Sequence, residues 1–396
     1  MFPNHSQAQP VGGPALICFS HLRWNFVYQR PQQLLSRAAK SQRVFFFEEP
    51  VFGHAASHLK STRTDCGVEV LVPHLPASQS DALIASQQRQ LLDDFVEAHQ
   101  FSEMTFWYYT PMALSFSEHL EPDYCIYDCM DELSAFRYAP PELVSRETQL
   151  LDRCDVVFTG GRSLFEAKRH CHSNIHCFPS SIDKKHFGSA RSLVAAQEPA
   201  DQAAIPGPRV GFFGVIDERM DLQLLAAVAA AIPKVHIVML GPLAKISASE
   251  LPCAPNLHWL GYKSYSELPS YLAGWQCGIM PFAINESTRY ISPTKTPEYL
   301  AAGLPLVSTD IKDVATPYGD LGLVQIARTS GQFAEAVLAG IRSHGGTEHI
   351  AKADQFLADK SWDRTFSEMQ ALIDRGRRIA KDARGSLCAP AEPMPA

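Results

Sequence analysis

Residues 285–309 read NESTRYISPTKTPEYLAAGLPLVST, and the order of elements in this stretch decides the fold. Ser292 is a good N-cap, and Pro293 suits the first helical position, where a missing N–H would be unpaired anyway. The helix expected from there runs over 293–302; Gly303 stops it, Pro305 lies beyond, and Leu306-Val307 opens a strand. Upstream, 277–280 is a short apolar run that reads as another strand. The chain thus leaves a strand by a loop, enters a helix and returns to the sheet. Loops at strand ends of open α/β sheets are where ligands bind.

This helix start offers free N–H groups and a partial positive charge, which suit a diphosphate. Ser292 and Thr294 flank it. Lys295 stands in the first turn, an unfavourable place for a cation unless an anion sits there too. Glu298 follows three residues on, on the same face and about 4.5 Å further along the axis. Its carboxylate can accept hydrogen bonds from a ribose diol, each worth about 1.5–3 kcal/mol. An ordinary surface ion pair has the same spacing, so spacing alone leaves both readings open.

Working outward, strands are expected at 209–213, 235–240, 257–260 and 304–308, with helices at 222–231 and 266–273. The first half repeats the alternation: strands at 15–19, 43–47, 104–108, 124–127, 156–159 and 175–178, and helices at 31–39, 81–99, 142–153 and 163–170. Between them, 189–208 is rich in Ala, Gln and Pro and reads as a linker. The expected fold class is α/β, two Rossmann-like doubly wound parallel-sheet domains facing a cleft. The domains are placed at 1–190 and 209–360, joined by 191–208. A helix over 361–380 returns to the first domain, and 381–396 is a fraying tail. A length of 396 residues suits two domains.

The net charge of -7 gives no electrostatic case for nucleic acid. No apolar run is long enough for a transmembrane helix, and the first residues lack the pattern of a secretory signal. The expectation is therefore a cytoplasmic protein, with its ten cysteines as thiols.

The segment 293–309, PTKTPEYLAAGLPLVST, closely resembles the donor-binding helix of bacterial GT-B glycosyltransferases in the group around glycosyltransferase family 4. The resemblance implies that Glu298 binds the nucleotide ribose and that the helix start receives the diphosphate. Family members carry a second glutamate eight residues earlier; here that position is Tyr290, with Glu286 nearby as the candidate to face the transferred sugar. Residues 210–221, VGFFGVIDERMD, look like the Gly-rich turn that opens the nucleotide domain. The family's arginine after Gly214 is Val215 here, and Arg219 lies near its second basic position. Arg219 also reads as a solvated helix-start residue. Gly261 and Tyr262 fall where the family contacts the base, though a simple turn explains them too. PSSIDKKHF, at 179–187, is similar to the segment that ends the first domain, and Ser361-Trp362 to the start of the closing helix.

On the acceptor side, residues 20–35 read SHLRWNFVYQRPQQLL, similar to a segment in a subgroup linked to cell-surface polysaccharide synthesis. His21, Arg23, Trp24, Gln29 and Arg30 are the candidates to hold a sugar by stacking and hydrogen bonding. The alternative is that Trp24 plugs the core and Arg30 meets a carboxylate. Asp128 and Asp131 follow a strand and are candidates for the base or for orienting the acceptor, against a structural hydrogen-bonding role. Residues 160–163 begin a helix that can meet an anionic acceptor. His170, Cys171, His172, His176 and Cys177 lack the separated pairs of a structural zinc site, so no metal ligands are expected.

The implied reaction is transfer of a sugar from a nucleotide diphosphate donor to a glycan or lipid-linked acceptor. The resemblance implies retention of configuration, no cofactor and no required metal, and leaves room for peripheral membrane contact. A nucleotide-sugar epimerase and a non-catalytic binding or scaffold protein are the rivals. A nicotinamide dehydrogenase is weaker, because no G-x-G-x-x-G follows the first strand.

Overall fold

A computed structural model describes residues 12–193 and 197–387, with side chains described as far as residue 382. Its first sheet holds β1 (Ala15–Phe19), β2 (Arg43–Phe47), β3 (Val51–Phe52), β4 (His58–Arg63), β5 (Glu69–Leu75), β6 (Met104–Tyr108), β7 (Tyr124–Cys129), β8 (Val156–Thr159) and β9 (Ile175–Cys177). The order is β3-β5-β2-β1-β6-β7-β8-β9, parallel throughout except for β4, which runs antiparallel along β5. All five residues of β1 are buried, as its central place between β2 and β6 requires.

The second sheet is wholly parallel, in the order β12-β11-β10-β13-β14-β15. Its strands are β10 (Arg209–Phe213), β11 (His236–Leu240), β12 (Leu257–Gly261), β13 (Cys277–Met280), β14 (Leu306–Thr309) and β15 (Gln325–Ala327). In each sheet the order reverses beside the first strand of the unit, so both present a switch-point crevice at their strand C-termini. The expected pair of doubly wound sheets is present.

The borders differ from those expected. Ile182, Phe187 and Ala190 already belong to the apolar core of the second sheet, so the first core ends nearer Phe178 than 190. The supposed linker is docked rather than slack. Gln202 is fully buried and accepts a 2.7 Å hydrogen bond from the Trp275 indole, while Glu198 pairs with Arg209 at 2.8 Å. Its polar composition serves buried hydrogen bonds, which composition alone does not distinguish from solvation. At the other end, the helix Trp362–Leu387 sets Trp362, Met369 and Ile373 into a core cluster of the first sheet. It continues past the tail boundary expected at 381; residues 388–396 lie outside the described residues.

Among the described residues no helix is long and apolar enough to cross a membrane, and all nine cysteines are free.

Candidate active site

Between the strand C-termini of the two sheets lies a cavity lined from both halves. Its second-sheet wall is built around bare backbone. Gly214 follows β10 at φ +128° and Gly241 follows β11 at φ +147°, both on the cavity wall, while Gly261 ends β12 at φ +70° outside it. All three lie in the region that favours glycine. A Cβ on Gly241 would run into the carbonyl oxygen of Gly214, and one on Gly214 would meet the end of the Lys295 side chain. The absence of a side chain at Gly214 therefore makes room for Lys295 at the mouth of β10, and its absence at Gly241 lets the Gly214 backbone approach.

Lys295 and Glu298 are fixed by the helix Lys295–Ala301. Tyr299, fully buried, donates to the Gly211 carbonyl and accepts from the Phe213 N–H, both at 3.2 Å. Those bonds lock the helix against β10 and turn Lys295 and Glu298 to the cavity. The helix starts later than the sequence suggested: Thr294 is its N-cap, without a side-chain cap bond, and Ser292 stands in the preceding loop. Ser292, Thr294, Lys295 and Glu298 all line the cavity.

Burial pushes the Glu298 carboxyl above the usual carboxylate range, with Lys295 opposing. Burial likewise draws the Lys295 ammonium down, with Glu298 opposing and Arg219 reinforcing. Each group is desolvated, and each needs compensating charge.

Arg219 lines the same wall but is held by Asp217, at 2.6 Å, and lies over the Phe136 ring. It is a paired cation rather than a solvated helix-start residue. Tyr262 lines the cavity and is about half exposed. Gly261 does not line it, and its carbonyl accepts from Gly241 N–H at 2.8 Å.

On the first-sheet wall, Gln29, Arg30 and Asp131 reach the cavity. Gln29 is the N-cap of the helix Arg30–Ala38, in a capping box with Gln32. Burial raises the Asp131 carboxyl to about 6, against the pull of Arg219, Lys295 and Arg30.

Several candidates have other tasks. Asp128 is fully buried and grips the Arg30 guanidinium, with both carboxylate oxygens 3.0 Å from Nε. Arg30 also donates to the Phe178 carbonyl at 2.7 Å. Asp128 is therefore not a base candidate; it neutralises a buried cation. Glu286 sits in a solvent-facing turn, its side chain 77% exposed and paired with Arg289, away from the cavity. Tyr290, at the position of the family glutamate, packs on the first sheet's core instead of lining the cavity.

Trp24 plugs the core edge-on to Phe46, buried where no sugar can stack on it. Arg23 is committed to Glu48 and to the carbonyls of Glu49 and Pro50. His21 lies outside the cavity lining, and burial with nearby Lys245 lowers its imidazole to about 4. The helix start at 160–163 does not wait for an anionic acceptor either. Asp313, from the second half, accepts from Ser163 N–H at 3.0 Å and supplies that negative charge.

His172 and His176 bond to Cys154 O and Asn174 Oδ1 rather than converging on a common point. The fold instead gathers His54, His58 and His74, which no sequence spacing flagged. Tyr28 and Tyr265 were also missed. They line the cavity and pack on each other, with ring centroids 4.6 Å apart.

Residues 207–343 match the family model described as glycosyl transferases group 1. The chain is 26% identical over 254 residues to a teichuronic acid biosynthesis glycosyltransferase, TuaH, of Bacillus subtilis (strain 168). That match spans 59% of this chain and 62% of the relative, less than two thirds of the relative's length. Solved structures agree in fold at low identity. Sucrose-phosphate synthase from Thermosynechococcus elongatus superposes with TM-score 0.69 at 13% identity, covering 92% of this chain and 98% of that one. An E. coli trehalose-6-phosphate protein bound with UDP-2-fluoro glucose gives 0.65 at 13%, over 92% and 99%. Anabaena HepE in complex with UDP and glucose gives 0.61 at 13%, over 91% and 99%. The fold is GT-B, and the resemblance read from 293–309 lies within the family match.

Proposed function

We infer that this GT-B chain, whose second half matches the group 1 glycosyl transferases, moves a sugar from a nucleotide diphosphate donor to a glycan or lipid-linked acceptor. One observation carries the reading: Lys295 and Glu298 project from one helix start into a cavity walled by the other sheet, beside a glycine that leaves room for the lysine. Diphosphate at the helix start would supply the anion that the desolvated Lys295 lacks, and ribose hydroxyls would donate to Glu298. As the donor bond breaks, negative charge develops on the leaving diphosphate, and Lys295, Arg219 and the helix amides are placed to stabilise it.

Asp131, across the cavity, is the group to orient or deprotonate the acceptor hydroxyl. Retention of configuration and independence of a metal are part of the proposal. The TuaH relative supports a role in cell-surface polysaccharide synthesis, and the uridine nucleotides named with the structural neighbours make UDP the first donor base to try. A lipid-linked acceptor would bring the protein to the cytoplasmic face of a membrane.

A non-catalytic reading draws on Val215 and on the Asp217 grip on Arg219, which leave the diphosphate end poorer in free cations. Thermal melts with UDP, GDP and ADP decide between them. A ligand at a hundredfold excess over its Kd stabilises by about 2.7 kcal/mol. The expected result is a shift with one diphosphate in the wild type, lost in Glu298→Ala. Folded protein that shifts with none of them overturns the donor site.

A further inference from the structure

We propose that His54, His58 and His74 form a site for a divalent transition-metal ion of the zinc type, on the edge of the first sheet and apart from the cavity. The three come from neighbouring segments. His58 opens β4 and is the direct cross-strand partner of His74 on β5, which puts both rings on one face. His54 follows β3, and its backbone N–H donates to Leu75 O at 3.1 Å, holding it beside β5 on the other flank of His74. Ring centroids lie 4.1 Å apart for His54 and His74, 4.8 Å for His58 and His74, and 5.5 Å for His54 and His58. One nitrogen of each ring lies within 4.8 Å of the other two.

Zinc–nitrogen bonds of about 2.0–2.1 Å in a tetrahedron set the nitrogens roughly 3.4 Å apart. Small side-chain rotations close that difference, because the rings are half-buried or exposed.

Two details favour a ligand set over chance crowding. His58 Nδ1 lies 3.2 Å from the Ala56 carbonyl, which can only accept. That bond assigns the proton to Nδ1 and turns a lone pair on Nε2 outward, the orienting device common around metal-bound imidazoles. His74 Nδ1 is buried and takes no hydrogen bond. Three imidazoles suit zinc, copper, nickel or cobalt and leave a fourth position for water.

The ion would clip the loop after β3 to β4 and β5. The adjoining residues Glu48, Glu49 and Pro50 hold Arg23 of the loop that leads to Gln29 and Arg30. The clip would therefore brace the first-sheet rim of the cavity.

The test is titration of the chelator-treated full chain with cobalt(II), followed by visible spectra and thermal melts. One ion per chain should bind with d–d bands and no thiolate charge-transfer band, and should raise the melting temperature. In His58→Ala and in His54→Ala/His58→Ala, affinity should fall by about a hundredfold or more. His58 is exposed, so its alanine variant should melt like the metal-free wild type. Three outcomes overturn the proposal: no cobalt bound, a thiolate band, or binding that survives these substitutions and falls with His258→Ala. That last residue belongs to the other close histidine pair, His236 and His258, 2.9 Å apart on the second sheet.

Discussion

Gly214 and Asp131 are the two residues whose chemistry is most exposed to test. Alanine at Gly214 meets a left-handed φ of +128° and the end of Lys295 together. The backbone strain alone costs about 1–3 kcal/mol. Gly214→Ala should therefore lower stability in urea melts and, by displacing Lys295, weaken nucleoside diphosphate binding; an unchanged diphosphate Kd would refute its place in the donor wall.

Asp131 makes a prediction with a sign. With its carboxyl at about 6, a base or orienting role has kcat/KM climbing as pH rises through 6. In Asp131→Asn that inflection should vanish and the rate drop by about 10²–10⁴. Stability moves the other way. The folded-state value is above the unfolded 3.8, so the folded chain binds the extra proton between these values. This group's contribution is full below 3.8 and lost as pH rises through 6. His21 acts oppositely as pH falls from 6.5 to about 4, so the comparison is wild type against Asp131→Asn, not one melt against pH. An activity limb that merely tracked unfolding would have the wrong direction for Asp131.

The elements show what periodicity conveys and what it omits. Strands 209–213 and 104–108 and helices 222–231 and 81–99 match the observed Arg209–Phe213, Met104–Tyr108, Leu222–Ala231 and Asp81–His99, because each carries a local apolar pattern. β3 and β4 were not legible. His58–Arg63, HLKSTR, is an edge strand exposed at five of six positions, so it has no buried face to imprint an alternation. The three-histidine cluster, made by pairing across that edge, was illegible for the same reason.

Candidate site residues divide similarly. Lys295 and Glu298 were readable because one helix turn carries both, whereas the partner of Arg30 lies far along the chain on β7. That pair fastens the first helix to the sheet: Asp128 is fully buried and Arg30 1% exposed on their side chains. Removing one partner of such a pair typically costs about 3–5 kcal/mol. Asp128→Ala should lose about that much in chemical denaturation, and Arg30→Met with Asp128→Leu should lose much less than the sum. Additive losses would mean that the two side chains do not act as a pair.

At the scale of the molecule, the two sheets meet through separate polar contacts around the cavity. Ser163 N–H donates to Asp313, Gln33 donates to Tyr265 at 3.3 Å, and the Arg137 side chain donates to the Lys245 carbonyl at 3.1 Å. Few bonds of this kind leave the balance between open and closed cleft within reach of a ligand's binding energy. Asp313 matters most, since it places a charge on the helix start of the opposite half and takes amide protons that would otherwise be unpaired. A hydrogen bond to a charged group is worth about 1.5–3 kcal/mol, and Asp313→Ala removes it only from the closed form. Where the closed form alone holds the donor, apparent Kd rises in inverse proportion to the closed fraction that remains, by about tenfold or more. The variant should also scatter X-rays with a larger radius of gyration than wild type when unliganded, and return to the wild-type value under saturating diphosphate. Weaker binding without expansion would place Asp313 in local support of the Ser292 loop, against which Gly161 packs. Neither change would mean that the cleft is held by its apolar contacts, Tyr28 on Tyr265 foremost, and that closure is not what the donor has to drive.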